Sequence, residues 1–111
     1  MDNLISYDAA KEMIIRYREN YGNVEVPEFK NALPLSETFN VSAFRKLIDQ
    51  PGCVKVRAYY GMKGNKQVCI VIVAVNEQDQ DMVGLSRGGE TDIIIEDSQL
   101  CPPDCSPSSG F

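Results

Sequence analysis

Residues 53–75 read CVKVRAYYGMKGNKQVCIVIVAV. The first nine alternate. Val54, Val56, Ala58 and Tyr60 fall on one side of an extended chain, and Cys53, Lys55, Arg57 and Tyr59 on the other, as in a half-buried strand. The last eight, Val68 to Val75, are apolar on both sides, the pattern of a central strand. Met62-Lys63-Gly64-Asn65 supplies a turn between them. A regular hairpin would set Cys53 opposite about Val75 and Cys69 opposite about Tyr59.

The flanks complete the class. Asn40 can cap a helix over 41–50, with Val41, Phe44, Leu47 and Ile48 on one face and Pro51-Gly52 to end it. Ser6 can cap another over 7–21, where Ala10, Met13, Ile14, Tyr17 and Tyr21 recur at helical spacing and are expected to pack on the core. Asp8 suits the helix dipole, and Gly22 offers a stop. Residues 23–35 contain Pro27 and Pro34 and read as a connection anchored by Leu33, Leu35 and Phe39. After the hairpin come a turn at 76–80, a short strand at 82–85, a turn at 86–90 and a last strand at 91–96. The expectation is α+β: two helices packed on one face of an antiparallel β-meander of three to four strands. Residues 1–100 form the domain, and 101–111 form a tail with a frayed end.

The chain has 111 residues, 43% of them hydrophobic, enough for one domain with its own core. Its net charge of −5 is lopsided. Residues 1–66 hold ten bases and eight acids, whereas residues 67–111 hold one base, Arg87, and eight acids. A nucleic-acid partner needs a basic footprint, which is missing. An anionic membrane surface is disfavoured on the same ground. No run of apolar residues is long enough to span a bilayer, and the N-terminus lacks the pattern of a secretory signal, so a cytoplasmic location is expected.

The run AFRKLIDQPGCVKVRAYYG (43–61), together with CPPDC (101–105), resembles a family of small uncharacterised bacterial proteins. Its members share a helix ending in QPGC, a strand ending in YYG and a C-terminal CPPxC. The resemblance covers about residues 41–105 and carries no activity with it. It implies that Cys53, Cys101 and Cys105 belong together and leaves Cys69 outside the pattern.

Three chemistries are open to these cysteines. The first is a metal site. C-x3-C fits structural zinc, and with no histidine in the chain the ligands would be Cys53, Cys101 and Cys105 with an outside group such as Asp104. Cys69 is too far along the hairpin to join them. The second is a disulfide, either Cys101 with Cys105 or Cys53 with one of them, although Pro102-Pro103 stiffens the short loop. The third is a reactive thiol, for which Lys55 and Arg57 would favour Cys53 while Asp97 and Asp104 oppose it at the tail. The plain alternative is a buried Cys69 and a tail plug of packed prolines and thiols.

Other signals are weaker. Asn76 to Asp81 lacks the glycine and glutamate of a calcium loop. Gly88-Gly89 allows a modified-peptide precursor cut after Gly89, but also suits a hairpin turn. Neither a Ser–His–Asp set nor a phosphate loop is present. No residue is therefore assigned a catalytic role. The expected function is a small interaction or adaptor protein. It would dock a protein partner through its acidic C-terminal part and Pro102, Pro103 and Asp104, or pair with itself through an edge strand. The alternative is a zinc-binding or thiol-responsive protein using Cys53, Cys101 and Cys105.

Overall fold

The 68–75 run is buried as its composition demands, and the rest of the fold is arranged around it. The computed structural model describes residues 3–21, 32–84, 92–96, 98–102 and 105. In chain order the elements are α1 (Tyr7–Asn20), β1 (Ser36–Thr38), α2 (Val41–Ile48), β2 (Lys55–Met62), β3 (Val68–Val75) and β4 (Gln99–Cys101). The chain is α+β.

β2 and β3 form an antiparallel pair running from Lys55 opposite Val75 to Met62 opposite Val68. The turn is closed by the Lys63 N–H donating to the Gln67 carbonyl at 2.9 Å, with Lys66 in the left-handed region at φ 70°. The register is two residues away from the expected one, because Met62 continues the strand instead of opening the turn. An even slip keeps every side chain on its expected face, whereas an odd slip would have reversed them all.

The other edge of β3 has no long strand beside it among the described residues. Its outward groups are met by four separate pieces. The Val68 N–H donates to the Ala32 carbonyl at 2.7 Å. The Ile70 N–H donates to the Glu37 carboxylate at 3.1 Å. Ile72 and Ile95 exchange bonds of 2.8 and 3.0 Å, and the Met82 N–H donates to the Ala74 carbonyl at 2.9 Å. Backbone polar groups in a core need partners, and here they find them piecemeal. Neither segment expected as a strand, 82–85 or 91–96, forms one among the described residues, which leave out 85 and 91; isolated bridges alone join Val75 to Asp81 and Ile72 to Ile95. A second two-stranded sheet pairs β1 with β4, Ser36 opposite Cys101 and Thr38 opposite Gln99. Three-residue strands carry too little periodicity to be read from sequence.

α2 lies against β3. Leu47, fully buried, meets Ile72, Ala74, Met82 and Ile95, and Phe39, Phe44 and Cys53 pack around them. Phe39 and Phe44 meet edge to face at a centroid distance of 5.8 Å. The helix ends where the Gln50 side chain donates to the Leu47 carbonyl at 3.0 Å, and Gly52, at φ 94°, turns the chain toward β2.

α1 departs from expectation. Its start is as read: the Ser6 hydroxyl oxygen accepts from the Ala9 N–H at 3.1 Å. Yet none of its residues is buried, and Met13 of the apolar stripe is 57% exposed. One tie to the sheet region is the Tyr17 hydroxyl, which donates to the Pro34 carbonyl at 2.5 Å. Helical spacing makes a face; it does not provide the surface that would cover it.

Candidate functional site

The tail cysteines are paired with each other. Cys101 and Cys105 form a disulfide with their Cα atoms 4.6 Å apart, and the Cys101–Pro102 peptide bond is cis. Cys101 belongs to β4, so the segment expected to be a free tail from residue 101 starts inside a sheet. Two further bonds hold it. The Leu35 N–H donates to the Cys101 carbonyl at 2.6 Å. The Gln67 side chain, buried, donates to the Pro102 carbonyl at 2.6 Å. Glu37 accepts from the Ser98 hydroxyl at 2.8 Å as well as from Ile70, which ties the strand before the disulfide to β3. Pro102 is exposed, while Pro103, Asp104 and Gly89 lie outside the described residues.

Cys53 is elsewhere. Its thiol donates to the Lys55 carbonyl at 3.4 Å and packs against the α2 core. It adjoins the Val75 end of β3, where the Val54 N–H donates to the Val75 carbonyl. The disulfide adjoins the Gln67–Val68 end. Seven residues of strand separate the two ends, about 23 Å at the usual rise. The proposed metal set of Cys53, Cys101 and Cys105 is therefore not assembled, since zinc–sulfur bonds are about 2.3 Å and two of the three sulfurs already bond each other. For the same reason Cys53 bridges neither tail cysteine. Among the described residues no group of three or more His, Cys, Asp and Glu side chains is placed to hold a metal. Cys69 is buried, and burial, helped by the charges of Glu96 and Glu37, pushes its thiol above the ordinary range. That disfavours the thiolate a nucleophile needs.

Of the five acids of the second half that lie among the described residues, Asp79, Asp81, Asp92 and Glu96 are engaged within the chain and Glu77 is exposed. The Asn76 side chain accepts from the Gln78 and Gln80 N–H groups, each at 3.0 Å, and so shapes the loop after β3. That loop presents Asp79 to Lys55 at 3.2 Å and to Arg57 at 3.1 Å. Asp81 accepts from Arg57 at 2.5 Å and from the Tyr59 hydroxyl. The Lys55 hydrogen bond, with the charges of Lys55 and Arg57, holds the Asp79 carboxyl below its ordinary range. Hydrogen bonds to Tyr59 and Asp81 hold the Arg57 guanidinium above its own. Glu96 pairs with Lys63 at 3.2 Å, and Asp92 accepts from the Gly84 N–H at 2.7 Å. Lys55 and Arg57 are thus turned to carboxylates rather than to Cys53.

One face of β2 remains exposed and is apolar. Val56, Ala58, Tyr60 and Met62 share the sheet face that α2 covers on β3 but stay exposed; α2 comes near this strip at Val56, which lines a shallow pocket with Ile48. Val56 is 49%, Met62 54% and Tyr60 83% exposed. Beside Tyr60 a groove of 310 Å³ runs between Tyr17, Leu33, Leu35, Val68 and Ile70. The disulfide-closed tail adjoins it through the Leu35–Cys101 bond. β2 is also an edge strand: among the described residues only β3 pairs with it. The sequence offered an edge strand for pairing but not this exposed face, because alternation only put Val56 and Tyr60 on one side of the strand and contained no statement of how far α2 extends.

Compared with protein families, curated proteins and solved structures, the chain matches none. No described helix is long and apolar enough to cross a membrane.

Proposed function

We propose that this chain is a non-catalytic protein-interaction module. Its docking surface is the edge and exposed apolar face of β2, unpaired among the described residues, with the disulfide-closed tail and its groove at the Met62 end. The observation that carries the reading is the exposure of Val56, Tyr60 and Met62 beside charged groups that pair with one another. A contiguous apolar strip on an edge strand suits strand addition, in which main-chain bonds hold the partner and alternate side chains select it. The acidic half contributes less than its charge promises, because Asp79, Asp81 and Glu96 are spent on Lys55, Arg57 and Lys63. The disulfide supports an oxidising compartment over the cytosol. It also leaves no free thiol in the tail for metal or redox-relay chemistry while it is closed.

The test is a photo-cross-linker, p-benzoylphenylalanine, placed at position 60 and, as a control, at the exposed Glu77. Position 60 should give a discrete adduct that is lost when Val56→Lys is added, with melting temperature unchanged. Position 77 should give none. Equal labelling from both positions, or no adduct from position 60, would end this reading.

A further inference from the structure

The edge of β2 is self-complementary. In the hairpin the odd-numbered residues of β2 face β3 through their backbone groups, as the Lys63–Gln67 bond and the register require. The backbone groups of Val56, Ala58, Tyr60 and Met62 therefore point to the outer edge. None of these four is a proline or carries a charge, the usual devices that blunt an edge.

We infer that β2 pairs antiparallel with β2 of a second copy about a twofold axis at Tyr59, making a four-stranded sheet. This deepens the docking reading and rests on it. Among symmetric registers, the one centred on Tyr59 uses all four outward residues: Val56 opposite Met62 and Ala58 opposite Tyr60, each twice. That gives about eight new backbone hydrogen bonds. Centring on Ala58 would require Val54, whose N–H is already given to Val75. Centring on Tyr60 leaves Val56 facing the Gly64 turn.

Side chains fit the same register. On the apolar face each Tyr60 ring lies over the small Ala58 of the other copy, and the two Tyr60 rings meet diagonally, within reach of one another. On the other face Arg57 falls opposite Gly61, which leaves room for its ion pairs with Asp79 and Asp81. At the ends Lys55 falls opposite Lys63, but Lys55 brings Asp79 and Lys63 brings Glu96, each at 3.2 Å. Two cations and two carboxylates at each end are complementary rather than repulsive. The area is small. Stable interfaces cover about 800 Å² per partner, and the largest pieces here are two tyrosines of roughly 150–250 Å² each when fully buried. The dimer is therefore concentration-dependent.

Sedimentation velocity of the full chain from about 10 µM to about 1 mM should show a monomer–dimer shift across this weak-interface range. Ala58→Pro removes only an outward N–H and should weaken dimerisation by at least about tenfold. Near-ultraviolet circular dichroism checks that it folds. Independently of that variant, Tyr59→Cys in a Cys53→Ser background should form a covalent dimer on oxidation. Residues opposite each other at a non-hydrogen-bonded position have Cα atoms about 4.5 Å apart, within disulfide reach. Ala58→Cys and Tyr60→Cys should not cross-link. A monomer throughout the range, or cross-linking at 58 or 60 in preference to 59, overturns the inference. The docking reading survives a monomeric result if the position-60 adduct contains another protein, and falls with it if there is no adduct at all.

Discussion

β2 and β3 each have eight residues, pair one to one along their length, and end at opposite fates. β3 is mostly buried, with Ala74 inaccessible and Val75 1% exposed, while Tyr60 of β2 is 83% exposed. The hydrogen bonds between them are shared, so the ladder does not explain the difference. What lies beyond each strand does. β3 has α2 on one face and, along its far edge, Ala32, Glu37, Ile95 and Met82. Among the described residues β2 has no strand beyond it. A strand is buried by its neighbours in space, and those neighbours come from scattered parts of this chain.

The largest expected break is a paired truncation. Leu47→Ala, under α2 against β3, should cost about 2–5 kcal/mol because it removes a buried side chain and leaves a cavity. Tyr60→Ala on β2 should change stability by only about 0.5 kcal/mol. Chemical denaturation of both variants checks this; comparable losses would mean that β2 is covered after all. Next comes Glu37→Ala. It strips the Ile70 N–H and the Ser98 hydroxyl of their acceptor and should cost about 1–3 kcal/mol. Hydrogen exchange should quicken at Ile70 and leave the β2-facing amides of β3 protected.

The smallest effect is on the charged face of β2. Asp79 has its carboxyl pKa lowered in the folded state by Lys55 and Arg57. The stability it contributes is thus complete above its unfolded pKa, about 3.9, and is lost as pH falls through the lower folded value. Its exposure to solvent keeps the effect modest. Thermal melts from pH 6 to pH 3 should decline slightly less steeply for Asp79→Asn than for the natural chain. Parallel curves would remove Asp79 from the account.

Much of this was legible in the residues. Both helices begin after Ser6 and Asn40, though only Ser6 gives a side-chain cap bond; α2 ends at Ile48, two residues short of the expected 50 and before Pro51-Gly52; and the hairpin keeps its faces despite a two-residue slip. These features are local, set by caps, turn chemistry and side-chain period, which act within a few residues. Of the candidate site, the four cysteines were visible but their arrangement was not. Cys53 and Cys101 lie at opposite ends of β3, a separation that only the register and the β1–β4 pairing decide.

The exposed strip on β2, the incompletely covered stripe on α1 and the far edge of β3 built from four segments share one origin. A sequence determines which surfaces are apolar and which backbone groups need partners, because both follow from residue type and local geometry. Which of those surfaces meet is settled by contacts between residues far apart in the chain, such as Glu37 with Ile70 and Gln67 with Pro102. Those contacts depend on packing in three dimensions, and only the tertiary structure supplies them.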